Sequence, residues 1–282
     1  MIVVVSLNPS IDRTVELDSF CYGGMNRVRR SFDVGAGKAI NVAVAAAVPS
    51  MDLVCIGLLP RDNGDLITSR LSDRGCSWDF LPVDGAVRIN TKIVDRATGL
   101  VTELNEAGVE WRSSDQEAVK ALVSRYRDPD AFFVFTGRLP PGCPVDFYRQ
   151  LMELCGGHCV VDAEGEALLS ALDAKPCLIK PNLFELENTV GRPLPTREDI
   201  VAAALELTHR GAGLVAVSLG KDGAILTDGS QTVEAAGIPV VVRSTVGAGD
   251  SMVAGMVLAM HRGLGIEDIL HAGIAAGTAA CI

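Results

Sequence analysis

Six short runs of mostly aliphatic and β-branched residues recur along the chain, with room for a helix after most of them. They lie at 2–7, 53–58, 131–136, 159–162, 177–180 and 214–219. Runs that are apolar at consecutive positions are typical of parallel strands buried on both faces. Segments with helical periodicity lie at 62–75, 114–126, 144–155, 196–210, 249–262 and 266–281. This alternation predicts an α/β fold, a doubly wound sandwich around a mostly parallel central sheet.

Polar residues stand at or just after the ends of several predicted strands. They are Asn8, Thr136, Asp162, Asn182 and Ser218. Because ligands of such sheets bind beyond the carboxyl ends of the strands, we expect a binding site at this edge.

Two segments break the pattern by alternating polar and apolar residues. One is 13–32, around a Gly-Gly pair, and the other is 86–105, around A-T-G. Both predict antiparallel hairpins, which together form a small β-sheet inserted at about 12–32 and 86–106, as a lid or as a dimer surface. A half-apolar lid needs a partner to cover it. With no repeat or linker elsewhere, 1–282 is predicted to be one domain with insertions.

Both predicted hairpins are basic. Arg88, Asn90 and Lys92 fall at period two and share one strand face, and N-R-V-R-R at 26–30 lies in the first hairpin. In a chain of net charge -10, such hairpins indicate a pocket for a phosphorylated ligand, since arginine donates two parallel hydrogen bonds to phosphate. A solvated strand face whose charges prevent edge pairing explains the pattern equally well.

Composition narrows the function classes. With 48% hydrophobic residues the chain can bury a large core, and its acidity disfavours nucleic acid and anionic membranes as partners. Eight cysteines scattered through apolar runs predict reduced thiols in a cytoplasmic protein. C-G-G-H-C at 155–159 has no second ligand pair, which disfavours zinc. No stretch reads as a signal peptide or a membrane span.

The glycine-rich stretch G-A-G-K-A-I-N at 35–41 matches neither common nucleotide fingerprint. Ala39 stands where a Walker loop needs Ser or Thr, and Ile40 where a dinucleotide loop needs glycine. What remains is a turn into a helix, with Lys38 and Asn41 in its first turn, where free N–H groups bind anions and polar ligands. A plain strand-to-helix turn is the alternative.

The stretch S-T-V-G-A-G-D-S at 244–251 is more specific. V-V-V at 240–242 predicts a strand, followed by a loop and a helix that starts near Asp250. Glycines let the backbone wrap a phosphoryl oxygen, and amides at a helix start stabilise developing charge. Asp250 could then take a proton from an attacking hydroxyl. A capping aspartate worth roughly 1 kcal/mol is the alternative.

Seven motifs in order extend along nearly the whole chain. They are L-N-P-S-I-D-R (7–13), G-K-A-I-N-V-A (37–43), T-G-R-L-P-P-G (136–142), V-V-D-A-E-G-E-A-L (160–168), K-P-N-L-F-E-L (180–186), V-S-L-G-K-D-G-A (217–224) and S-T-V-G-A-G-D-S-M-V-A-G (244–255). In these motifs the chain resembles the PfkB-type carbohydrate kinases of the ribokinase-like superfamily. The resemblance implies a three-layer sandwich with a β-sheet lid.

Within that family the chain is most similar to the sugar-phosphate kinases. M-N-R-V (25–28), R-I-N-T-K (88–92) and L-N-E-A-G (104–108) resemble segments of 1-phosphofructokinases and tagatose-6-phosphate kinases. The resemblance implies ATP-dependent phosphorylation of a ketohexose phosphate, with fructose 1-phosphate giving fructose 1,6-bisphosphate favoured. Tagatose 6-phosphate and fructose 6-phosphate remain alternatives, as does a weakly catalytic sensor of sugar phosphate or nucleotide.

The resemblance also implies a site. Asp250 is the general base. The anion hole is formed by Gly247, Ala248 and Gly249. Sugar hydroxyls are held by Asp12 and Asn41. The existing phosphate is met by Arg27, Lys38 and Arg88. The nucleotide is lined by Lys180, Asn182, Ser218 and Gly220. Glu185 organises Mg²⁺ through water. A homodimer through the lid sheet is implied as well.

The chain departs from the family pattern in three places, and the first two bear on substrate choice. Ala36 and Ala39 replace glycines of the first signature, which predicts strain if either position needs a positive φ. Arg138 replaces a small hydroxyl residue of the family motif. It either supplies an extra contact to the sugar phosphate or indicates a different substrate. The chain stops at Ile282 within an apparent helix, and we expect it to be truncated relative to the family.

Overall fold

The computed structural model describes residues 1–282. Its strands are β1 (Ile2–Ser6), β2 (Ser10–Leu17), β3 (Arg30–Ala36), β4 (Leu53–Asp62), β5 (Ser77–Ala86), β6 (Arg88–Asp95), β7 (Val101–Asn105), β8 (Phe132–Thr136), β9 (His158–Asp162), β10 (Leu178–Ile179), β11 (Val215–Ser218), β12 (Ala224–Thr227) and β13 (Thr232–Ala235). Its helices are α1 (Lys38–Ala46), α2 (Asp65–Asp73), α3 (Ser113–Arg125), α4 (Phe147–Cys155), α5 (Gly165–Leu172), α6 (Leu183–Val190), α7 (Arg197–His209), α8 (Ala248–His261) and α9 (Ile266–Ala279).

Nine strands form the central sheet, in the order β13-β12-β11-β10-β9-β8-β1-β4-β5. All neighbours are parallel except β11–β12 and β12–β13, which confirms the predicted α/β class. Alternate residues of β1 enter opposite cores, Val3 and Val5 on one face and Ile2 and Val4 on the other. One face packs against α3 to α7 and the other against α1, α2, α8 and α9, so the molecule has three layers.

The remaining four strands form the lid sheet, in the order β3-β2-β6-β7. The predicted hairpin around A-T-G is present as antiparallel β6 and β7. The other predicted hairpin has its strands in place, and the Gly24 amide donates to the Cys21 carbonyl at 3.2 Å in a turn at the Gly-Gly pair. That turn does not join the strands directly, because it lies within the longer exposed segment 18–29 between β2 and β3. Gly37 turns the chain from β3 into α1 at a φ of 109°, which favours glycine.

The structure differs from the sequence-based prediction at one further strand and at three helices. Residues 240–242 were predicted to be a strand, yet they pair with no strand and are exposed, since they form the rim of a cavity. Helices α5 and α6 were not predicted, because eight residues give too short a pattern to detect. The predicted helix at 62–75 begins only at Asp65, because β4 continues to Asp62. None of the helices is long and apolar enough to span a membrane.

Candidate active site

Two polar side chains meet where β8 and β9 end. Thr136 and Asp162 are register partners, and Thr136 Oγ1 donates a hydrogen bond to Asp162 Oδ2 at 3.1 Å. Parallel pairing brings both strand ends to one edge, so the expectation of a polar site there is met.

Asp162 is buried and lies between two lysines. Its carboxylate is 3.4 Å from Lys38 Nζ and 3.5 Å from Lys180 Nζ. Burial raises the pKa of Asp162, but Lys180, Lys38 and the Thr136 hydroxyl together hold it below its usual value. Its Oδ1 has no hydrogen-bond partner. Asp162 was noted only as a polar residue at a strand end and was given no role, although it is the charge that binds both lysines.

Lys38, the first residue of α1, is surrounded by carboxylates. In addition to Asp162, Glu185 Oε1 lies 3.6 Å from Lys38 Nζ. Burial lowers the pKa of Lys38, but the charges of Asp162, Glu185 and Asp250 outweigh burial and raise it. Lys38 is therefore a permanent cation at the start of a helix, where the amide dipoles are also positive.

Asp250, in the first turn of α8, is 7% exposed. Asn41 Nδ2 donates a hydrogen bond to its Oδ2 at 2.8 Å. Burial and the nearby Asp162 charge raise the pKa of Asp250 to about 6, against the opposing effects of Asn41 and the two lysines. At neutral pH the side chain is thus an ionised carboxylate whose proton affinity is higher than usual, as a general base requires.

The loop that leads into α8 presents backbone donors beside this carboxylate. Gly247 has a φ of 78° and caps the helix, and the amide of Ala248 donates to the carbonyl of Thr245 at 3.2 Å, which closes the turn. The first-turn amides of Gly249 and Asp250 have no intrahelical acceptor. A Cβ on Gly249 would lie 3.5 Å from Lys180 Nζ, so the lysine ammonium adjoins the same turn.

The lid sheet meets the site through Asp12 on β2. Lys92 Nζ lies 2.6 Å from Asp12 Oδ2, and Asn90 Nδ2 donates to Asp12 Oδ1 at 3.4 Å. Arg88 donates to Asn90 Oδ1 at 3.1 Å. Arg88, Asn90 and Lys92 of β6 therefore share one face, as their period-two spacing predicts, and that face is directed at the site.

A cavity of about 270 Å³ opens between the lid and the ends of the strands. Its lining includes Lys38, Arg88, Arg138 and Glu185. Arg138 lies at the rim, 73% exposed and 3.5 Å from Glu164 Oε1. Arg27 does not join these residues, because it lies on the exposed segment 18–29 and makes no ion pair or hydrogen bond within the chain.

Ala36 and Ala39 fit the loop without strain. Both are buried, and neither has a positive φ. The strain expected from replacing glycine at these positions is therefore absent; the positive φ belongs to Gly37 between them.

A second cavity, of about 470 Å³, lies beside the start of α8. Its walls include Ser218, Gly220 and Gly249, together with apolar side chains of α8, α9 and 238–242. Pockets of this kind accept a planar ring between apolar walls. Lys180 and Asn182 do not line this cavity: Lys180 is buried beneath the α8 turn, and Asn182 lies at the start of α6.

Asn182 and Glu185 form a capping box for α6. The Glu185 amide donates to Asn182 Oδ1 at 2.8 Å, and the Asn182 amide donates to Glu185 Oε2 at 2.9 Å. The N-x-x-E spacing thus has a structural role that sequence reasoning overlooked. Glu185 Oε1 is directed to the cavity, towards Lys38.

No group of three or more His, Cys, Asp or Glu side chains is arranged to hold a metal ion. Magnesium commonly takes only one or two carboxylates and completes its shell with water and substrate phosphates. Glu185 Oε1 is the oxygen that would serve such a site, because Oε2 is taken by the Asn182 amide, although Oε1 now lies 3.6 Å from Lys38 Nζ. Cys155 and Cys159 are free thiols with sulfurs 3.1 Å apart, and the His158 ring stacks on Phe132.

Comparisons with known proteins agree with this arrangement. The family model described as pfkB family carbohydrate kinase matches residues 5–281. A 1-phosphofructokinase of Rhodobacter capsulatus is 36% identical over 95% of this chain and 86% of its own length. One of Vibrio cholerae is 33% identical over 96% and 86%.

Among solved structures, phosphofructokinase-2 of Escherichia coli in complex with fructose-6-phosphate superposes with a TM-score of 0.92 at 30% identity. The match covers 99% of this chain and 93% of that one. A buried carboxylate, an electropositive helix start and a basic cavity thus occur within a fold shared over nearly the full length. The chain belongs to the pfkB family of carbohydrate kinases.

Proposed function

We propose that this protein is an ATP-dependent kinase that phosphorylates a ketohexose phosphate, converting fructose 1-phosphate to fructose 1,6-bisphosphate. The observation that carries the proposal is the buried carboxylate of Asp250. It has a raised pKa of about 6, one oxygen held by Asn41 and an electropositive helix start beside it.

In this mechanism Asp250 accepts the proton of the attacking sugar hydroxyl as that oxygen bonds to the γ-phosphorus of ATP. The bond between the γ-phosphorus and the oxygen that bridges it to the β-phosphate breaks, and ADP leaves with that electron pair. The amides of Gly247 and Gly249 receive the charge of the transferring group, with Lys180 beside them, whereas the Ala248 amide, predicted as a third donor, closes the turn on the Thr245 carbonyl. Phosphoryl transfer depends mainly on positioning and charge neutralisation, and these donors are held in place by the fold before substrate binds.

We assign the sugar to the space between the lid and α1. Asp12 and Asn41 hold its hydroxyls. Lys38, Arg88 and Arg138 meet its existing phosphate, because guanidinium and ammonium groups line that cavity in a protein of net charge -10.

ATP is assigned to the cavity beside α8, lined by Ser218 and Gly220. Asn182 lines an adjoining cavity of about 340 Å³ together with Ser218 and Gly220. Mg²⁺ would be held by the phosphates of ATP and, through water, by Glu185; when bound it neutralises phosphate charge.

A homodimer through the lid is also proposed. Val101 and Leu104 on β7, the edge strand of the lid sheet, are exposed, and a partner would cover them. The exposed Arg27 would then face the second copy rather than its own cavity. A monomer in light scattering at micromolar concentration would contradict this assembly.

The names of the relatives support fructose 1-phosphate, whereas the fructose-6-phosphate complex of the similar solved structure keeps that sugar as the second candidate. A coupled assay of ADP release compares fructose 1-phosphate, fructose 6-phosphate and tagatose 6-phosphate. We expect the highest kcat/KM with fructose 1-phosphate. Turnover of none of the three would overturn the proposal.

A further inference from the structure

Helix α2 carries an arginine that no sequence motif assigns to the site. Arg70 Nη1 donates to Asn41 Oδ1 at 2.9 Å and also to the carbonyl of Gly35. Asn41 Nδ2 in turn donates to Asp250 Oδ2 at 2.8 Å. The three side chains form a chain of hydrogen bonds that ends on the carboxylate of the proposed base.

This chain fixes which way the Asn41 amide faces. An amide can present its oxygen or its NH2 group in the same space, and neighbouring groups decide between the two. A guanidinium only donates, so Arg70 accepts only the amide oxygen on its side. The NH2 group is thereby directed to Asp250, which as a carboxylate only accepts. With the opposite orientation, the amide oxygen would face the carboxylate and repel it.

The other charged groups around Asp250 and Arg70 do not orient the Asn41 amide. Asp162, Lys38 and Lys180 act on Asp250 through their charge. Around Arg70, burial lowers the pKa of the guanidinium, Asp12 and Asp250 oppose that effect, and Arg74 adds to it. A guanidinium stays protonated throughout the pH range of an enzyme, so Arg70 is a constant donor.

Building on the proposed kinase function, we propose that Arg70 is a positioning residue for phosphoryl transfer. It locks the Asn41 amide in the orientation that donates to Asp250 Oδ2, which leaves Oδ1 to accept the proton of the attacking hydroxyl. Arg70 itself touches neither the base nor, in this mechanism, the transferring phosphoryl group.

A double-mutant cycle tests whether Arg70 acts through Asn41. Arg70→Met in the wild-type chain is expected to lower kcat about tenfold, the value of one charge-assisted hydrogen bond, and to leave the KM for ATP unchanged. In the Asn41→Ala background the same substitution is expected to change kcat less than twofold. Arg74→Met removes a cation at the end of the same helix that makes no side-chain hydrogen bond, and serves as the matched control. An equal fold-reduction in kcat in the wild-type and Asn41→Ala backgrounds would overturn the proposal.

A second readout is independent of turnover. Titration of the Asp250 carboxyl by ¹³C NMR, assigned with Asp250→Asn, is expected to show a pKa higher in Arg70→Met than in wild type. The rise should be smaller when the same substitution is made in the Asn41→Ala background, because only the charge of Arg70 is lost there and no donor is released. Equal titration in the two proteins would refute the role of Arg70, even if no tested sugar phosphate were a substrate. If Arg70→Met fails to fold by circular dichroism, Arg70→Lys takes its place in both experiments, with effects in the same direction but smaller.

Discussion

Lys38 Nζ lies 3.4 Å from Asp162 Oδ2, so the first residue of α1 and the last residue of β9 meet as an ion pair at the centre of the site. The pair joins the two halves of the site. α1 follows the lid, whereas β9 belongs to the central sheet. Because Asp162 is buried and Lys38 extends to the cavity, the lysine charge is directed by the fold before any substrate arrives.

Replacing Lys38 with Met should shift the pH below which kcat/KM falls. Lys38 lowers the pKa of Asp250, so its loss raises that pKa above about 6. We expect the pH at half-maximal kcat/KM to rise by about half a unit to one unit, with a higher KM for the sugar phosphate. Lys120→Met on the surface of α3, where Lys120 pairs only with Glu117, is the control. An unmoved acidic limb would contradict the assigned coupling.

The rate of the wild-type enzyme should depend on one ionisation near pH 6. Asp250 acts as a base only when ionised, so kcat/KM is expected to fall tenfold per unit as pH drops below about 6. Steady-state rates from pH 5 to pH 8 measure this limb. A profile that stays flat down to pH 5 would remove Asp250 from the proton transfer.

Asp250→Asn should make the protein more stable while it slows catalysis. The pKa of Asp250 is raised from 3.8 to about 6 in the folded state, so the protonated form favours folding and this contribution is lost as pH rises through 6. At pH 7.5 the ionised group costs on the order of 2–3 kcal/mol. An uncharged amide avoids that cost. Chemical denaturation should therefore show a higher free energy of unfolding for Asp250→Asn than for wild type at pH 7.5, and the difference should shrink towards pH 5. Equal or lower stability at pH 7.5 would show that burial does not penalise the charge.

Arg138→Ser should weaken sugar-phosphate binding without affecting folding. The Arg138–Glu164 pair is exposed, and such pairs contribute little to stability, so the melting temperature should not change. We expect the KM for fructose 1-phosphate to rise about fivefold to tenfold, consistent with one lost charge-assisted contact, with the KM for ATP unchanged. Arg112→Ser, which removes an exposed Arg112–Asp84 pair outside the site, should leave both constants unchanged. A KM insensitive to Arg138→Ser would place the phosphate elsewhere.

The sequence predicted the layers of the fold well because their signals are local. Runs buried on both faces, such as 2–7 and 131–136, could form little else, and the period-two spacing of Arg88, Asn90 and Lys92 predicted their common face. Residues 240–242 were wrongly predicted to be a strand because three consecutive valines suit both a strand and an apolar cavity rim. Only the presence or absence of a neighbouring strand distinguishes these two structures.

The site was harder to predict where contacts join distant parts of the chain. Arg70 lies on an amphipathic helix, where an arginine has no distinguishing pattern, and its role depends on Asn41 and Asp250, which are 209 residues apart. Asp162 ended a predicted strand, but its two lysines come from other motifs. The capping role of Asn182 and Glu185 could have been found from their spacing alone, since N-x-x-E at the start of a helix is a capping box.

Single-turnover phosphoryl transfer from ATP to fructose 1-phosphate, followed by rapid quench in wild type and Asp250→Asn, tests the role of Asp250 most directly. The wild-type enzyme should form fructose 1,6-bisphosphate and ADP. Asp250→Asn should slow transfer about a thousandfold, while calorimetric Kd values for both substrates stay within about threefold, because the amide keeps the shape of the carboxylate but cannot accept the proton. Transfer by Asp250→Asn within about tenfold of wild type would contradict the assignment of Asp250 as the base.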